Sequence, residues 1–134
     1  MAKIERFEDL VAWQKGRILI RDIYAVSARQ PFSRDFAMCD QIRRAALSIT
    51  SNIAEGFERA VHGDFQRFLV YAKASCAEVR SQLYSALDVG HLDQPTFDKL
   101  MTNAQEVGRI IGGLRSSIER RRTAQHSALS TQHS

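Results

Sequence analysis

The sequence is poor in turn-forming residues, with only two prolines and seven glycines among its 134 positions. An all-β protein built from many short strands needs far more of both, so the composition argues against that class. No run of about 18 apolar residues occurs, which argues against a membrane-spanning helix. Hydrophobic residues make up 44% of the chain and charged residues 25%, as in ordinary globular proteins, so we expect one folded domain.

Cysteine is also scarce, with only Cys39 and Cys76 present. Two isolated cysteines, each on an apolar stripe, indicate neither a disulfide framework nor a zinc site, and we interpret both as small core residues. The first ten residues, MAKIERFEDL, are too charged for a signal peptide. We therefore expect a cytoplasmic protein.

Apolar residues recur with helical spacing through the second half of the chain. One stripe, spaced 4, 3, 4, 3, 4, 3, comprises Phe65, Leu69, Ala72, Cys76, Val79, Leu83 and Ala86. The next, spaced 3, 4, 3, 4, 3, 4, comprises Phe97, Leu100, Ala104, Val107, Ile111, Leu114 and Ile118. Such spacing keeps one helix face against a partner, as in helical bundles. Gly90 and Asp93 are predicted caps in the short connection, so the two helices must be antiparallel.

The first half contains two further helical patterns separated by Pro31, with Ser33 as a candidate cap after the break. The second pattern comprises Met38, Ile42, Ala46, Ile49 and Ile53. The first has one stripe of Ala12, Gly16, Leu19, Ile23 and Val26 and a second stripe of Trp13, Ile20 and Tyr24. A helix with so broad an apolar surface is predicted to be buried on more than one side, either centrally or at a subunit contact.

Together these patterns predict an all-α fold, an antiparallel up-down-up-down four-helix bundle that assembles as a cyclic oligomer. We expect a single domain over residues 1–122, with helices at about 7–28, 35–59, 64–89 and 94–122. The remaining residues, 123–134, contain no charged side chain other than histidine and no apolar periodicity. They are predicted to form a disordered polar tail.

Small polar residues interrupt the second helical pattern in the stretch SITSNIAEG, residues 48–56. Ser48, Asn52 and Glu55 lie on a second face, roughly 110° from the apolar stripe. Exposed helix positions usually carry longer polar side chains, whereas small ones suit close helix approach and buried hydrogen bonds. The alternative is that Ser48, Asn52 and Glu55 are simply exposed to solvent. Together with Trp13, these three residues are our candidates for a subunit interface or a buried polar seam.

Several stretches resemble the "four helix bundle protein" family, which includes proteins encoded within intervening sequences of bacterial large-subunit ribosomal RNA genes. They are FEDLVAWQKGR (7–17), DQIRRAALSITSNIAEGF (40–57), FQRFLVYAKAS (65–75) and SQLYSALDVGHL (81–92). The resemblance implies an antiparallel four-helix bundle that assembles as a homopentamer. The chain is more distantly similar to the basic, pentameric accessory proteins of diversity-generating retroelements, which associate with a reverse transcriptase and nucleic acid.

This chain departs from the family pattern at two points. Thr50 stands where the family usually has proline, which would soften a kink at this point of the second helix. The family's Ser-x-x-Glu capping box before the third helix is replaced by Val61 and Asp64, so Asp64 or His62 becomes the candidate cap.

Motifs for catalysis or for a cofactor are missing from the sequence. The Glu-x-x-His pairs of di-metal bundles do not occur, and neither does G-x-S-x-G or a glycine-rich phosphate loop. We therefore predict no enzyme activity, no catalytic residue, no metal site and no cofactor.

Arginine supplies the remaining functional signal, with 15 arginines, four lysines and a net charge of +4. Our candidate nucleic-acid-binding residues are Arg43, Arg44, Arg59, Arg67, Arg115, Arg120, Arg121 and Arg122. In a cyclic oligomer the last cluster repeats in every subunit and becomes a polyanion site for RNA or DNA. The alternative is an oligomeric scaffold for a protein partner, which ion pairs at Asp40–Arg44 and Glu55–Arg59 would favour because they neutralise part of the charge.

Overall fold

Apolar stripes on four helices meet in one core. The structure is a computed structural model that describes residues 3–132 and the side chains of residues 3–128. Its helices are α1 (Val11–Ser27), α2 (Phe36–Glu58), α3 (Phe65–Asp88) and α4 (Gln94–Gln132). Each helix packs against its neighbour in the chain, and α1 also packs against α4. The predicted all-α four-helix bundle is confirmed.

The residues at the centre of this bundle are those that the periodicity selects. Every predicted stripe residue of α3 is buried except Phe65, which is half-buried, and α4 follows its predicted stripe as far as Ile111. Leu19, Ile23, Ile42, Ile49, Leu69 and Leu83 are all inaccessible to solvent. Cys39 and Cys76 are buried free thiols, as the sequence indicates.

The helix boundaries show which predicted caps form. The Asp93 carboxylate accepts a hydrogen bond from the Thr96 backbone N–H at 2.8 Å, and Gly90 has a φ of +84°, as predicted for the two ends of this connection.

The predicted cap of α2 is not the one that forms. Ser33 does not cap α2, because it lies in a short 3-10 turn, Phe32–Arg34. Asp35 takes that role instead by accepting from the Met38 N–H at 3.1 Å.

α1 begins later than the sequence predicts. The expected helical start forms a separate 3-10 turn, Phe7–Asp9, and Leu10 then adopts an extended backbone with φ −72° and ψ 127°. Leu10 is only 7% exposed, so the break in the helix turns an apolar side chain into the core.

α4 continues well beyond the predicted boundary at residue 122. Residues 123–132 extend it to Gln132, where the sequence predicts disorder; residues 1–2 and 133–134 lie outside the described part. No proline or glycine follows Gly113, and adding a residue to an existing helix costs far less than nucleating a new one. Residues 119–128 are all exposed, so the end of α4 projects beyond the four-helix core.

The opposite end of the bundle is closed by a contact between the α3–α4 connection and the start of α2. His91 Nε2 donates to the Asp35 carboxylate at 2.9 Å, and the His91 ring stacks on Phe32 at a centroid distance of 5.0 Å. The hydrogen bond from His91, followed by that from the Met38 N–H, holds the pKa of Asp35 below its ordinary value. Asp35 thus joins two parts of the chain that are 56 residues apart.

Among the glycines, the closest contact with another helix occurs at Gly56, in the NIAEG stretch of α2. A Cβ added there would lie 2.6 Å from Cβ of Phe68 on α3. Gly16 on α1 has a similar role, since its added Cβ would lie 2.9 Å from a methyl carbon of Thr50. α2 runs without interruption through Thr50, the position at which the family pattern has proline.

We expect Gly56→Ala to destabilise the protein by about 1–3 kcal/mol, because the clash with the rigid Cβ of Phe68 outweighs the higher helix propensity of alanine. Gly113→Ala is the matched control. Gly113 is exposed and has nothing near its added Cβ, so alanine there should stabilise by up to about 1 kcal/mol. Urea unfolding followed by circular dichroism measures both. A Gly56→Ala variant at least as stable as the wild type would contradict the close approach.

Candidate nucleic-acid interface

A small polar network occupies the seam between α2 and α3. The Ser75 hydroxyl donates to the Ser48 hydroxyl oxygen at 2.9 Å, and Asn52 Nδ2 lies 2.9 Å from the same oxygen and 2.8 Å from the Ser48 carbonyl. Ser75 is only 8% exposed, and its hydroxyl also lies 3.1 Å from the Tyr71 carbonyl. The polar face of α2 is therefore turned toward α3 within one chain.

The other two candidates for this seam lie elsewhere. Glu55 is exposed and forms an ion pair with Arg59 at 3.4 Å. Trp13 packs edge-on against Phe7 with a centroid distance of 5.3 Å, and the Arg17 guanidinium lies over its ring. The sequence analysis missed Ser75, although its position beside the buried stripe of α3 was a usable signal.

Two arginines on the first half of α2 are held by neighbours in the same chain. Arg43 Nε donates to the Ser27 hydroxyl at 2.8 Å, and its guanidinium carbon lies 4.5 Å from the centroid of the Tyr24 ring. Arg44 Nε forms the expected pair with Asp40 at 2.9 Å. Arg44 is therefore neutralised by a carboxylate, whereas Arg43 keeps its charge but is anchored by two neutral side chains.

A second pair of arginines surrounds the start of α3. Arg59 pairs with Glu55 and with Asp64, and Arg67 pairs with the other oxygen of Asp64 at 3.4 Å. Both guanidiniums lie over the Phe68 ring, at 5.4 and 5.2 Å from its centroid. Asp64 was a predicted cap of α3, but its side chain makes no capping hydrogen bond and binds the two arginines instead.

These ion pairs mask charge more than they stabilise the fold. Arg59 and Arg67 are about half exposed, at 48% and 53% of the side chain, and exposed pairs contribute at most about 1 kcal/mol. A polyanion arriving at this surface would have to compete with Asp64 for both guanidiniums.

Arg115 lies on α4 beside α3 and is partly buried. Gln66 Nε2 donates to its backbone carbonyl at 2.9 Å and lies 3.4 Å from the Glu119 carboxylate. Arg115 Nε and Gln66 Oε1 are both buried without a hydrogen-bond partner. These contacts place the stretch from Arg115 to Glu119 beside the beginning of α3.

The remaining candidates form the α4 arginine triplet: Arg120, Arg121 and Arg122. All three are exposed, and none forms an ion pair with a carboxylate among the side chains that the structure describes. Consecutive residues of a helix are about 100° apart, so the three side chains fan around the helix instead of facing one way. They follow directly after Glu119, where α4 leaves the core.

Other kinds of site find little support in the described part of the chain. Within it, no group of three or more His, Cys, Asp or Glu residues could hold a metal ion. Residues 3–132 also include no helix long and apolar enough to cross a membrane.

Comparison with known proteins places the chain in a family. The family model described as "23S rRNA-intervening sequence protein" matches residues 8–113. The chain belongs to this family. The match confirms the resemblance carried by the FEDLVAWQ and NIAEG stretches, and it ends seven residues before the α4 arginine triplet.

A solved structure has the same fold as this 23S rRNA-intervening sequence protein. It is a protein of unknown function from the S23 ribosomal protein family of Bacteroides thetaiotaomicron, with a TM-score of 0.71 and 19% identity. The alignment covers 78% of this chain and 98% of the other. No curated protein matches the chain. At this identity, the likeness supports the fold and assigns no activity.

We expect Ser48→Ala and Ser75→Ala to be coupled by about 0.5–1 kcal/mol in a double-mutant cycle of unfolding free energies, with the molecular mass of the particle unchanged. The cycle is needed because alanine's higher helix propensity raises the stability of each single variant.

The exposed serines Ser51 on α2 and Ser81 on α3 provide a matched control cycle, for which we expect no coupling. Additive effects at Ser48 and Ser75, or a change of particle mass in the Ser48→Ala variant, would show that this face contacts another subunit instead of α3.

Proposed function

We propose that this 23S rRNA-intervening sequence protein is a non-catalytic homo-oligomer that binds RNA through arginines at the end of α4. The observation that carries the proposal is the α4 arginine triplet, exposed and without a carboxylate partner among the described side chains. Arginine suits phosphate because its planar guanidinium can donate two parallel hydrogen bonds. The family's name, which refers to ribosomal RNA, favours RNA over DNA.

The contrast with the other arginines narrows the binding surface. Arg44, Arg59 and Arg67 are neutralised by carboxylates, and Arg43 is held by Ser27 and Tyr24. Among the candidate arginines, the α4 arginine triplet is therefore the group that is exposed and has no carboxylate partner within the described side chains. The end of α2 and the start of α3 lie at the same pole as the triplet, because Gln66 bonds to Arg115. In a cyclic oligomer, the ion-paired Arg59 and Arg67 would therefore repeat around the triplet.

Oligomerisation is supported by apolar side chains that the single chain leaves exposed. Val11, Ile18 and Tyr24 are 53%, 40% and 38% exposed on α1, the helix whose broad apolar surface predicts burial on two sides. A homo-oligomer would cover such a surface, and the family resemblance favours a pentamer. Repeating the triplet in each subunit would turn a weak local charge into a strong polyanion site.

The mode of binding should be sequence-tolerant. The exposed aromatic nearest the arginines at this pole is Tyr71, whose ring packs edge-on against Phe68 with a centroid distance of 5.7 Å. One stacking ring supports little base recognition, so contacts to phosphate should dominate. The proposal requires no catalytic group and places the protein in the cytoplasm, where ribosomal RNA is made in bacteria.

A scaffold for a protein partner is the second candidate function. The observation that favours it is an open cleft of about 610 Å³ between α1 and α2, with Phe36 and Leu47 exposed at 81% and 42% along its edge. The Asp40–Arg44 and Glu55–Arg59 pairs, both formed, also favour this alternative.

We expect the purified protein to bind a fluorescein-labelled structured RNA with micromolar or tighter affinity at 50 mM salt. Affinity should fall steeply toward 300 mM salt, because cations on the protein displace counterions from phosphate. Changing Arg120, Arg121 and Arg122 together to Gln should weaken binding about 10- to 100-fold at 100 mM salt. Fluorescence anisotropy measures each curve, and light scattering gives the particle mass as a multiple of 15.2 kDa.

The matched control changes the exposed arginines Arg21, Arg29 and Arg34 to Gln, which removes the same charge from the rest of the molecule. It should bind RNA within about three-fold of the wild type. If both variants bind RNA equally weakly, the loss of affinity comes from net charge and not from the position of the triplet. If the wild type does not bind RNA even at 50 mM salt, the RNA proposal is refuted and the scaffold function is favoured.

A further inference from the structure

A basic cleft lies between α3 and α4, on residues that the sequence analysis did not select. It has a volume of about 340 Å³, on the order of ten waters at about 30 Å³ each. The α3–α4 cleft, as we call it, is lined by Lys73, Cys76, Arg80, Gln105, Gly108 and Arg109. On each helix the lining positions recur at helical spacing, so the two rows face each other along the seam.

The cleft gathers positive charge without a negative partner. Lys73, Arg80 and Arg109 line it, no carboxylate does, and none of the three forms an ion pair within the described side chains. This differs from Arg44 and Arg59, which are paired with Asp40 and with Glu55 and Asp64, respectively.

The thiol at the floor of the cleft does not supply the missing negative charge. Burial raises the pKa of Cys76 to about 11, although the charges of Arg80 and Lys73 act in the opposite direction. Cys76 is therefore a neutral thiol at physiological pH, and the three cations repel one another across a site that holds no anion of its own.

Glycines keep this cleft open without being required by helix packing. A Cβ added to Gly108 would meet only Cβ of Cys76, at 3.9 Å, which is an ordinary contact. One added to Gly112, a turn further along α4, would meet only the mobile ammonium of Lys73, at 3.3 Å. Each glycine costs a helix interior about 1 kcal/mol relative to alanine. Neither glycine is therefore needed for a close helix approach, and the space above Gly108 stays open.

We propose that the α3–α4 cleft is a phosphate-binding site, which takes phosphate groups of a nucleic-acid backbone between Lys73, Arg80 and Arg109. The two guanidiniums can each donate in pairs to phosphate oxygens, and the lysine adds a compact third charge. No aromatic residue lines the cleft, so bases have nothing to stack on there and only the backbone is recognised.

The α3–α4 cleft lies on the same helix as the α4 arginine triplet, which we propose binds RNA. Gly112 lies between the cleft and Arg115 on the same helix, and the α4 arginine triplet begins five residues after Arg115. A strand bound at the triplet could therefore continue along the α3–α4 seam. The choice of nucleic acid as the source of the phosphate rests on the proposed function, whereas the phosphate site itself does not.

The first test changes Lys73, Arg80 and Arg109 together to Gln and measures binding of a labelled 20-nucleotide RNA by anisotropy. We expect affinity to fall about 10- to 100-fold at 100 mM salt, and the slope of log K against log salt to decrease by about 2, as expected for three lost phosphate contacts on a single strand. The triple variant at Arg21, Arg29 and Arg34 again controls for net charge.

The second test blocks the cleft without changing charge. Gly108→Leu places a side chain in the open space, whereas Gly113→Leu makes the same replacement five residues away at an exposed position with nothing near its added Cβ. Both leucines favour the helix, so both variants should fold, which the thermal midpoint confirms. We expect Gly108→Leu to lose RNA affinity about 10-fold and Gly113→Leu to bind like the wild type.

The third test uses inorganic triphosphate as the probe and follows the rise in thermal midpoint at constant ionic strength. A rise in the wild type that disappears in the Gln triple variant and in Gly108→Leu supports the phosphate site, even if RNA does not bind. In that outcome the phosphate comes from a free polyphosphate and the proposed function alone fails. If neither RNA affinity nor the triphosphate effect depends on the cleft, the proposal is overturned.

Discussion

The close approach of α2 to α3 is the constraint on which the rest of the bundle depends. Gly56 lets the two helices meet at Phe68, and the hydroxyls of Ser48 and Ser75 meet further along the same seam. Once α2 and α3 are packed together, they form an apolar surface on which α1 and α4 pack. Each helix then buries its own apolar stripe. The NIAEG stretch is therefore explained by packing, before any function is considered.

Charge is distributed around this core in two ways. At the end of α2 and the start of α3, carboxylates bind the arginines, as Asp64 binds both Arg59 and Arg67. Along the outer side of α4, and on α3 facing it, the cations have no such partners. The net charge of +4 therefore understates the local positive charge along this side of α3 and α4.

The sequence was sufficient for the fold because the apolar spacing on α2, α3 and α4 directly names the buried residues. It also gave the Asp93 cap and the Asp40–Arg44 pair, which are local along one helix or turn. It failed where a contact joins two helices or a helix and a turn: Ser75 meeting Ser48, Asp64 binding arginines instead of capping, and Lys73 facing Gly112. It also failed at residues 123–132, which continue α4 although they lack apolar periodicity. No proline or glycine interrupts the helix there, so it can extend past the core.

The most direct test of the account is to map where RNA touches the protein. Crosslinking a 4-thiouridine-labelled RNA to the wild type, followed by peptide mass spectrometry, does this without any substitution. We predict crosslinked peptides from residues 73–80 of α3 and 105–122 of α4, which contain the cations of the α3–α4 cleft and the α4 arginine triplet. Crosslinks confined to α1 and the first half of α2 would contradict it.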